Sequence, residues 1–241
     1  MRRDPLGRRL LAELLGTGLL VAAVVGSGIA AARLSPGNVG LELLENTTAT
    51  VGALVALILA LGPVSGAHFN PVVTLADRWF GGISTLDAGG YIAAQVVGAL
   101  GGALLANAMF ALPTFEASTR TRSSGPLWLG ELVATFGLVV VVFGVVRSGR
   151  ASAAPFAVGA YIGGAYFFTS STSFANPAVT IGRTISNTFA GIRPSSAPGF
   201  IAMQVVGGAL AVGAVRILYP RMSDSAADVV VPHGGDRLEG G

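Results

Sequence analysis

The chain has no cysteine, no lysine and only two histidines in 241 residues. Without thiols there is no disulfide framework, thiolate metal site or cysteine nucleophile, and two histidines alone make a poor metal site. Charge is scarce too: 11% of residues are charged, against roughly 25% in a soluble domain. All fifteen basic residues are arginines, and no basic cluster alternates with aromatics, which argues against nucleic-acid binding. No nucleophile and base pair can be named, so an enzyme is not expected, and neither is a cofactor.

Apolar residues make up 52% of the chain, with 35 glycines among the rest, the composition of a polytopic membrane protein. Charge-free runs at 14–32, 88–115 and 194–215 each hold one span of about 20 residues, and 127–146 adds a fourth, interrupted by Glu131. The runs 46–76 and 151–182 are longer than one span requires. Each long run carries a similar string near its end, His68-Phe69-Asn70-Pro71-Val72-Val73-Thr74 and Phe174-Ala175-Asn176-Pro177-Ala178-Val179-Thr180. Asn is a good helix cap and Pro a good first helical residue, so each long run reads as a span plus a re-entrant half-helix. Such a piece is tolerated only against protein or a water-filled cavity, which implies a lined interior.

Six spans and two half-spans follow, arranged as two repeats. Leu11-Ala12-Glu13 through Thr17 resembles Leu129-Gly130-Glu131 through Thr135, and Ile92 through Gly98 resembles Ile201 through Gly207, each with a central Gln95 or Gln204. The expected divisions are a short N-terminus over 1–9, a first repeat over 10–112 with its half-helix at 70–79, a second repeat over 127–219 with its half-helix at 176–186, and a disordered tail over 220–241. Three spans is an odd number, so the repeats are inverted and the half-helix N-termini meet near the midplane. Both termini then share one side. With that side cytoplasmic, Arg2, Arg3, Arg8, Arg9, Arg78, Arg147, Arg150, Arg216, Arg221 and Arg237 lie inside and Arg33, Arg120, Arg122, Arg183 and Arg193 outside, the asymmetry expected of cytoplasmic loops. The first span resembles a signal peptide, but its apolar run is longer than a signal core, so a retained helix is expected.

These ordered duplicates, with the Ser65-Gly66-Ala67-His68 lead-in and the Ala12-Glu13 start, resemble the aquaporin or major intrinsic protein family over about residues 8–219. The resemblance implies an all-α integral membrane fold of six transmembrane helices and two re-entrant half-helices, a homotetramer with one pore per subunit, and passive conduction of water or small neutral solutes. Electrostatics gives the midplane the same role, because two helix N-termini aimed at one point repel cations, while Asn70 and Asn176 donate amide hydrogens to a passing oxygen. The alternative is that each Asn merely caps its helix. Gly66, Ala67 and His68 on one side, and Ser173, Phe174 and Ala175 on the other, resemble the family's carbonyl ladder, with His68 open to a purely structural role. The resemblance places Glu13 and Glu131 behind the half-helices as acceptors for loop backbone; a proton relay or an interfacial carboxylate is the alternative. Gly98, Gly102, Gly207 and Ala211 are expected to let helices approach closely.

Where most of the family carries Arg three residues after the second Asn, this chain has Val179. Family spacing gives the other filter positions as Thr50, Gly164 and Ser173, with Ile162 or Gly163 in place of Gly164 if the loop carries an insertion. Such a ring is expected to be wide and to admit solutes larger than water. Arg183, one helical turn beyond Val179, is either a displaced filter cation or a vestibule and loop-anchoring residue. Val72, where the family has Ala, either narrows the centre or changes packing. The second string is similar to a bacterial subgroup associated with arsenic-resistance genes, which implies a plasma-membrane facilitator for neutral solutes including metalloid acids such as arsenite. An orthodox water channel, or one for glycerol, ammonia or urea, is the alternative within the family. From another class, an ion-coupled secondary transporter would need an intramembrane acid free to take a coupling ion, and only Glu13 and Glu131 are candidates.

Overall fold

A computed structural model of the protein describes residues 4–220. Arg2, Arg3, Arg221, Arg237 and the expected tail beyond Pro220 lie outside the described residues. The order of helices is α1 (Leu6–Leu34), α2 (Val39–Ser65), α3 (Pro71–Phe80), α4 (Thr85–Met109), α5 (Gly125–Arg147), α6 (Ala154–Phe168), α7 (Pro177–Gly182) and α8 (Ala197–Leu218), with short 3-10 turns before α6, after α7 and before α8. Among the described residues, six helices are long and apolar enough to cross a membrane: α1, α2, α4, α5, and α6 and α8 with their leading turns. The remaining two, α3 and α7, are the half-helices.

Local chemistry sets these boundaries. Asn70 and Asn176 sit in extended conformation at the caps of α3 and α7, and a proline opens each helix, where its missing N–H costs nothing. Helix α2 stops at Gly66, whose φ of 86° is left-handed, a cap conformation glycine adopts without a Cβ penalty. Ser84 caps α4 by accepting from the Asp87 amide.

Packing follows the inverted repeat. Helix α1 lies chiefly on α4 and, correspondingly, α5 on α8, while α2 and α6 form the seam between the halves. Each half-helix also leaves its own repeat, α3 reaching α8 and α7 reaching α4. The closest approaches are glycine contacts. A Cβ on Gly98 would collide with the Leu14 carbonyl, one on Gly207 with the Leu132 carbonyl, and one on Gly102 with the Gly18 carbonyl. These helices touch backbone to backbone, as small-residue membrane interfaces do. Because each repeat crosses three times, α6 and α4 end, and α5 and α8 begin, at the far end of the bundle from the described termini.

Gly98→Leu is expected to lower the thermal midpoint of the detergent-purified protein by several degrees, since overpacking typically costs about 1–3 kcal/mol. Gly101→Leu, with nothing within 4 Å of its added Cβ, is expected to leave the midpoint unchanged in the same melt.

Candidate functional site: a central pore

The connections 67–70 and 173–176 are non-helical backbone deep inside the bundle. Their N–H groups have no helical partners, and in a dry interior each unsatisfied one costs several kcal/mol. Two fully buried carboxylates meet the demand. Glu13 Oε1 accepts from Ser65 Oγ at 2.7 Å and His68 N at 3.0 Å, and its Oε2 accepts from Phe69 N at 2.7 Å and Gln95 Nε2 at 2.8 Å. Glu131 repeats the arrangement: Oε1 accepts from Phe174 N at 2.9 Å, and Oε2 from Ala175 N at 2.9 Å and Gln204 Nε2 at 2.6 Å. Both glutamines also donate onward, to Thr74 Oγ1 at 3.0 Å and Thr180 Oγ1 at 2.9 Å. With this many donors directed at it, neither carboxylate is left open to a shuttled proton or a coupling ion.

Held this way, the loops adopt an unusual backbone. Ala67, Phe69, Ser173 and Ala175 all have φ between 47° and 49°, a left-handed region costing non-glycine residues about 1–3 kcal/mol each. The alternation brings the two loops tip to tip. Asn70 Nδ2 donates to the Ala175 carbonyl at 2.8 Å, and Asn176 Nδ2 donates to the Phe69 carbonyl at 2.7 Å. Each Asn also caps its own helix: Asn70 Oδ1 accepts from Val72 N at 2.9 Å, and Asn176 Oδ1 from Ala178 N at 3.0 Å and Val179 N at 3.2 Å. Capping and solute contact are therefore not alternatives, because the cap fixes the amide nitrogen toward the cavity. Each Nδ2 carries two hydrogens and spends one on the opposite loop, leaving one for a visitor.

Both asparagines line a cavity of about 60 Å³ that also touches Ala67, His68, Phe69, Ser173, Phe174 and Ala175. Leu20, Val24, Leu54, Leu138, Val142 and Val158 also line it. Of the expected ladder, Gly66 is absent from the lining; it caps α2 and donates to the Gly62 carbonyl. Val72 does not face the cavity either. Its methyl meets α8, where a Cβ on Gly208 would strike it, so the departure from Ala changes packing and does not narrow the centre.

Thr50, Ser173 and Val179 are among the lining residues of the cavity, and Gly164 is not. It is exposed on the other side of α6, and Ile162 and Tyr166 occupy the lining. Counting back across the 169–175 connection presumes a fixed loop length, and a two-residue error turns a helix by about 200°. Tyr166 OH lies 3.3 Å from Thr50 Oγ1. These lining positions thus hold no Arg, yet they include an aromatic hydroxyl where a wide ring was expected. Ser173 Oγ is buried with no protein partner, which leaves it available to a solute hydroxyl.

Arg183 is buried at 2% exposure and is not among the lining residues, so it is not an exposed vestibule side chain. Its guanidinium carbon stacks 3.3 Å from the centroid of the Phe174 ring, and its Nε donates to the Ala190 carbonyl. Arg122 approaches the same ring at 5.2 Å and donates to the Gly191 carbonyl at 3.0 Å. Burial, then the charge of Arg120, pushes Arg122 down to about 10, so it stays cationic at neutral pH. At the opposite end, His68 Nδ1 lies 3.1 Å from Thr74 Oγ1 and Nε2 lies 3.6 Å from Asp77, while Arg9 pairs with Asp87 at 2.8 Å. Tyr166, Arg122 and Asp77 were not expected at the site. Asp77 alone left a signal, an acid closing the apolar run that holds the first half-helix.

A family model described as major intrinsic protein matches residues 1–173. Aquaglyceroporin AqpS of Rhizobium meliloti (strain 1021) is 49% identical over 218 residues, 90% of this chain and 93% of that protein. Aquaporin NIP2-3 of Zea mays is 32% identical over 195 residues, 78% of this chain and 63% of that protein. Among solved structures, the aquaglyceroporin from Plasmodium falciparum matches with a TM-score of 0.64 at 19% identity, covering 90% of this chain and 99% of that one. That likeness concerns the fold.

Glu131→Gln turns an acceptor into a donor facing donors and removes charge-assisted bonds, each worth about 1.5–3 kcal/mol. The expected outcome is a clear drop in the thermal midpoint of the purified protein, with Glu13→Gln behaving alike because its shell is equivalent.

Proposed function

The chain belongs to the major intrinsic protein family, and on that premise we propose that it is a passive channel, not an enzyme, for small neutral polyhydroxylated solutes. The observation that carries this reading is the cavity lined by the two loops with Asn70 and Asn176 and by aliphatic side chains such as Leu20, Val24, Leu138 and Val142. No carboxylate or guanidinium is among the lining residues. A polyol matches such a cavity, with hydroxyls for the asparagine amides and C–H surface for the aliphatic side chains. Ions do not match, because each half-helix N-terminus contributes about half a positive charge in a water-poor region. The role proposed for the two asparagines is solute contact and interruption of a proton-conducting water chain. For Thr50, Tyr166, Ser173 and Val179 it is the outer filter.

Glycerol and undissociated metalloid acids such as arsenite are the cargo we infer, arsenite because its three hydroxyls resemble a polyol's. The relative named an aquaglyceroporin points toward glycerol. Tyr166 supports a second reading, a narrower water-selective filter, since its ring fills the space that a glycine would leave. The assembly we propose is a homotetramer in the plasma membrane of a bacterium, with both termini cytoplasmic. Among the described residues, Arg8, Arg9, Arg78, Arg147, Arg150 and Arg216 lie on one side and Arg33, Arg120, Arg122, Arg183 and Arg193 on the other, a slight excess in favour of that orientation.

Stopped-flow swelling of proteoliposomes separates the readings. Glycerol and arsenite are expected to enter along with water; fast water with no glycerol or arsenite would overturn the wide-filter reading in favour of the water channel. Val179→Arg is expected to reduce glycerol entry about tenfold, one factor of 1.4 kcal/mol, and water entry much less. Equal effects on both would remove Val179 from the filter.

A further inference from the structure

We propose that Arg183 supplies, from behind Phe174, the fixed positive charge that keeps cations out of the outer half of the pore. The inference rests on the neutral-solute reading above and gives one part of it to a residue that does not touch the solute. Losing the arginine at position 179 leaves the filter uncharged, yet a channel that leaks cations would discharge the membrane it sits in.

Arg183 is placed to fill the gap. It follows Val179 by four residues, on the same face of α7 and its 3-10 extension. Its guanidinium lies flat against Phe174, and Phe174 lines the pore. The charge therefore sits one side chain removed from a residue of the pore lining, with the Phe174 ring also packed edge-on against Phe200. Arg122 adds a second cation beside the same ring. Neither forms an ion pair, since the salt bridges among the described residues are Arg8–Asp4, Arg9–Asp87 and His68–Asp77, all toward the opposite end; the carboxylate that both feel, Glu131, is bonded to the amides of Phe174 and Ala175 and to Gln204. A buried charge is little screened by salt, and its field reaches farther than that of a surface arginine. Carbonyl contacts at Ala190 and the cation–π stack on Phe174 hold it in place.

The arrangement separates two properties that one filter arginine would join. An arginine in the ring narrows the ring as it charges it. Here Val179 sets the width and Arg183 the potential, so a bulky neutral solute can pass through a pore that still repels cations.

The test measures glycerol swelling and proton or potassium leak in the same proteoliposomes. Arg183→Met keeps the side chain's length and removes its charge; Arg183→Gln also removes the charge but can still donate to the Ala190 carbonyl, and serves where the Met variant does not fold. Either is expected to raise cation leak about tenfold or more, since a unit charge acting across a few atoms at an effective dielectric of about 20 changes cation partition by at least that factor. Glycerol flux is expected to stay within about twofold of native. Arg183→Lys, keeping the charge, is expected to remain tight. A neutral variant that conducts glycerol normally and stays as cation-tight as native overturns the proposal; a native protein that does not conduct glycerol overturns the channel reading instead.

Discussion

Everything in this molecule depends on satisfying a few peptide N–H groups where no helix and no bulk water can reach them. Placing a pore at the centre of the bundle requires backbone that leaves the helical path there, and such backbone cannot persist in a dry interior without acceptors. Glu13 and Glu131 are those acceptors. Each carboxylate gathers two consecutive loop amides and one glutamine, and the energy of these charge-assisted bonds offsets the left-handed strain at Ala67, Phe69, Ser173 and Ala175. A buried charge that would usually mark a proton path is here consumed by structure, so the site is a fixed aperture and not an ion-coupled carrier.

From that fixed backbone the selectivity elements follow in order. The strained loops meet and exchange hydrogen bonds through Asn70 and Asn176, which orients one free N–H of each amide to the cavity. Outward of the asparagines, Val179 is uncharged, Tyr166 OH lies 3.3 Å from Thr50 Oγ1, and Arg183 stacks on Phe174. In the reading proposed above, width and charge belong to different residues. The inner end is arranged differently, with His68 and Arg9 each beside an aspartate.

Much of this is legible in the sequence, and the parts that are not share a physical cause. The doubled Asn-Pro strings, the paired Glu and Gln landmarks and the charge-free runs identify two repeats because each belongs to a rigid local pattern: a cap, a proline start or a span length. Gly164 misses the filter because its position is reached by counting across a connection, and a helix converts a small error of length into a large error of direction. Arg183 is legible by position but not by orientation, since helical spacing says which face a residue is on and not whether its side chain turns to the pore or folds back on an aromatic ring. Asp77 and His68 come together through the turn of α3, a contact between residues nine apart whose meaning depends on where the loop points. Val72 shows the same limit: its place in the motif suggests the midplane, and only the packing of α3 on α8 directs it away.

The central claim is that two carboxylates hold the pore loops still. Native-state hydrogen exchange at the amides of His68, Phe69, Phe174 and Ala175, in detergent or nanodiscs, tests it most directly. A fixed aperture predicts that these four amides are protected as strongly as the interiors of α1 and α5, despite lying in loops beside a water-accessible pore. Exchange as rapid as at the exposed Thr114 and Phe115 would mean that the loops open and close, and would contradict the claim.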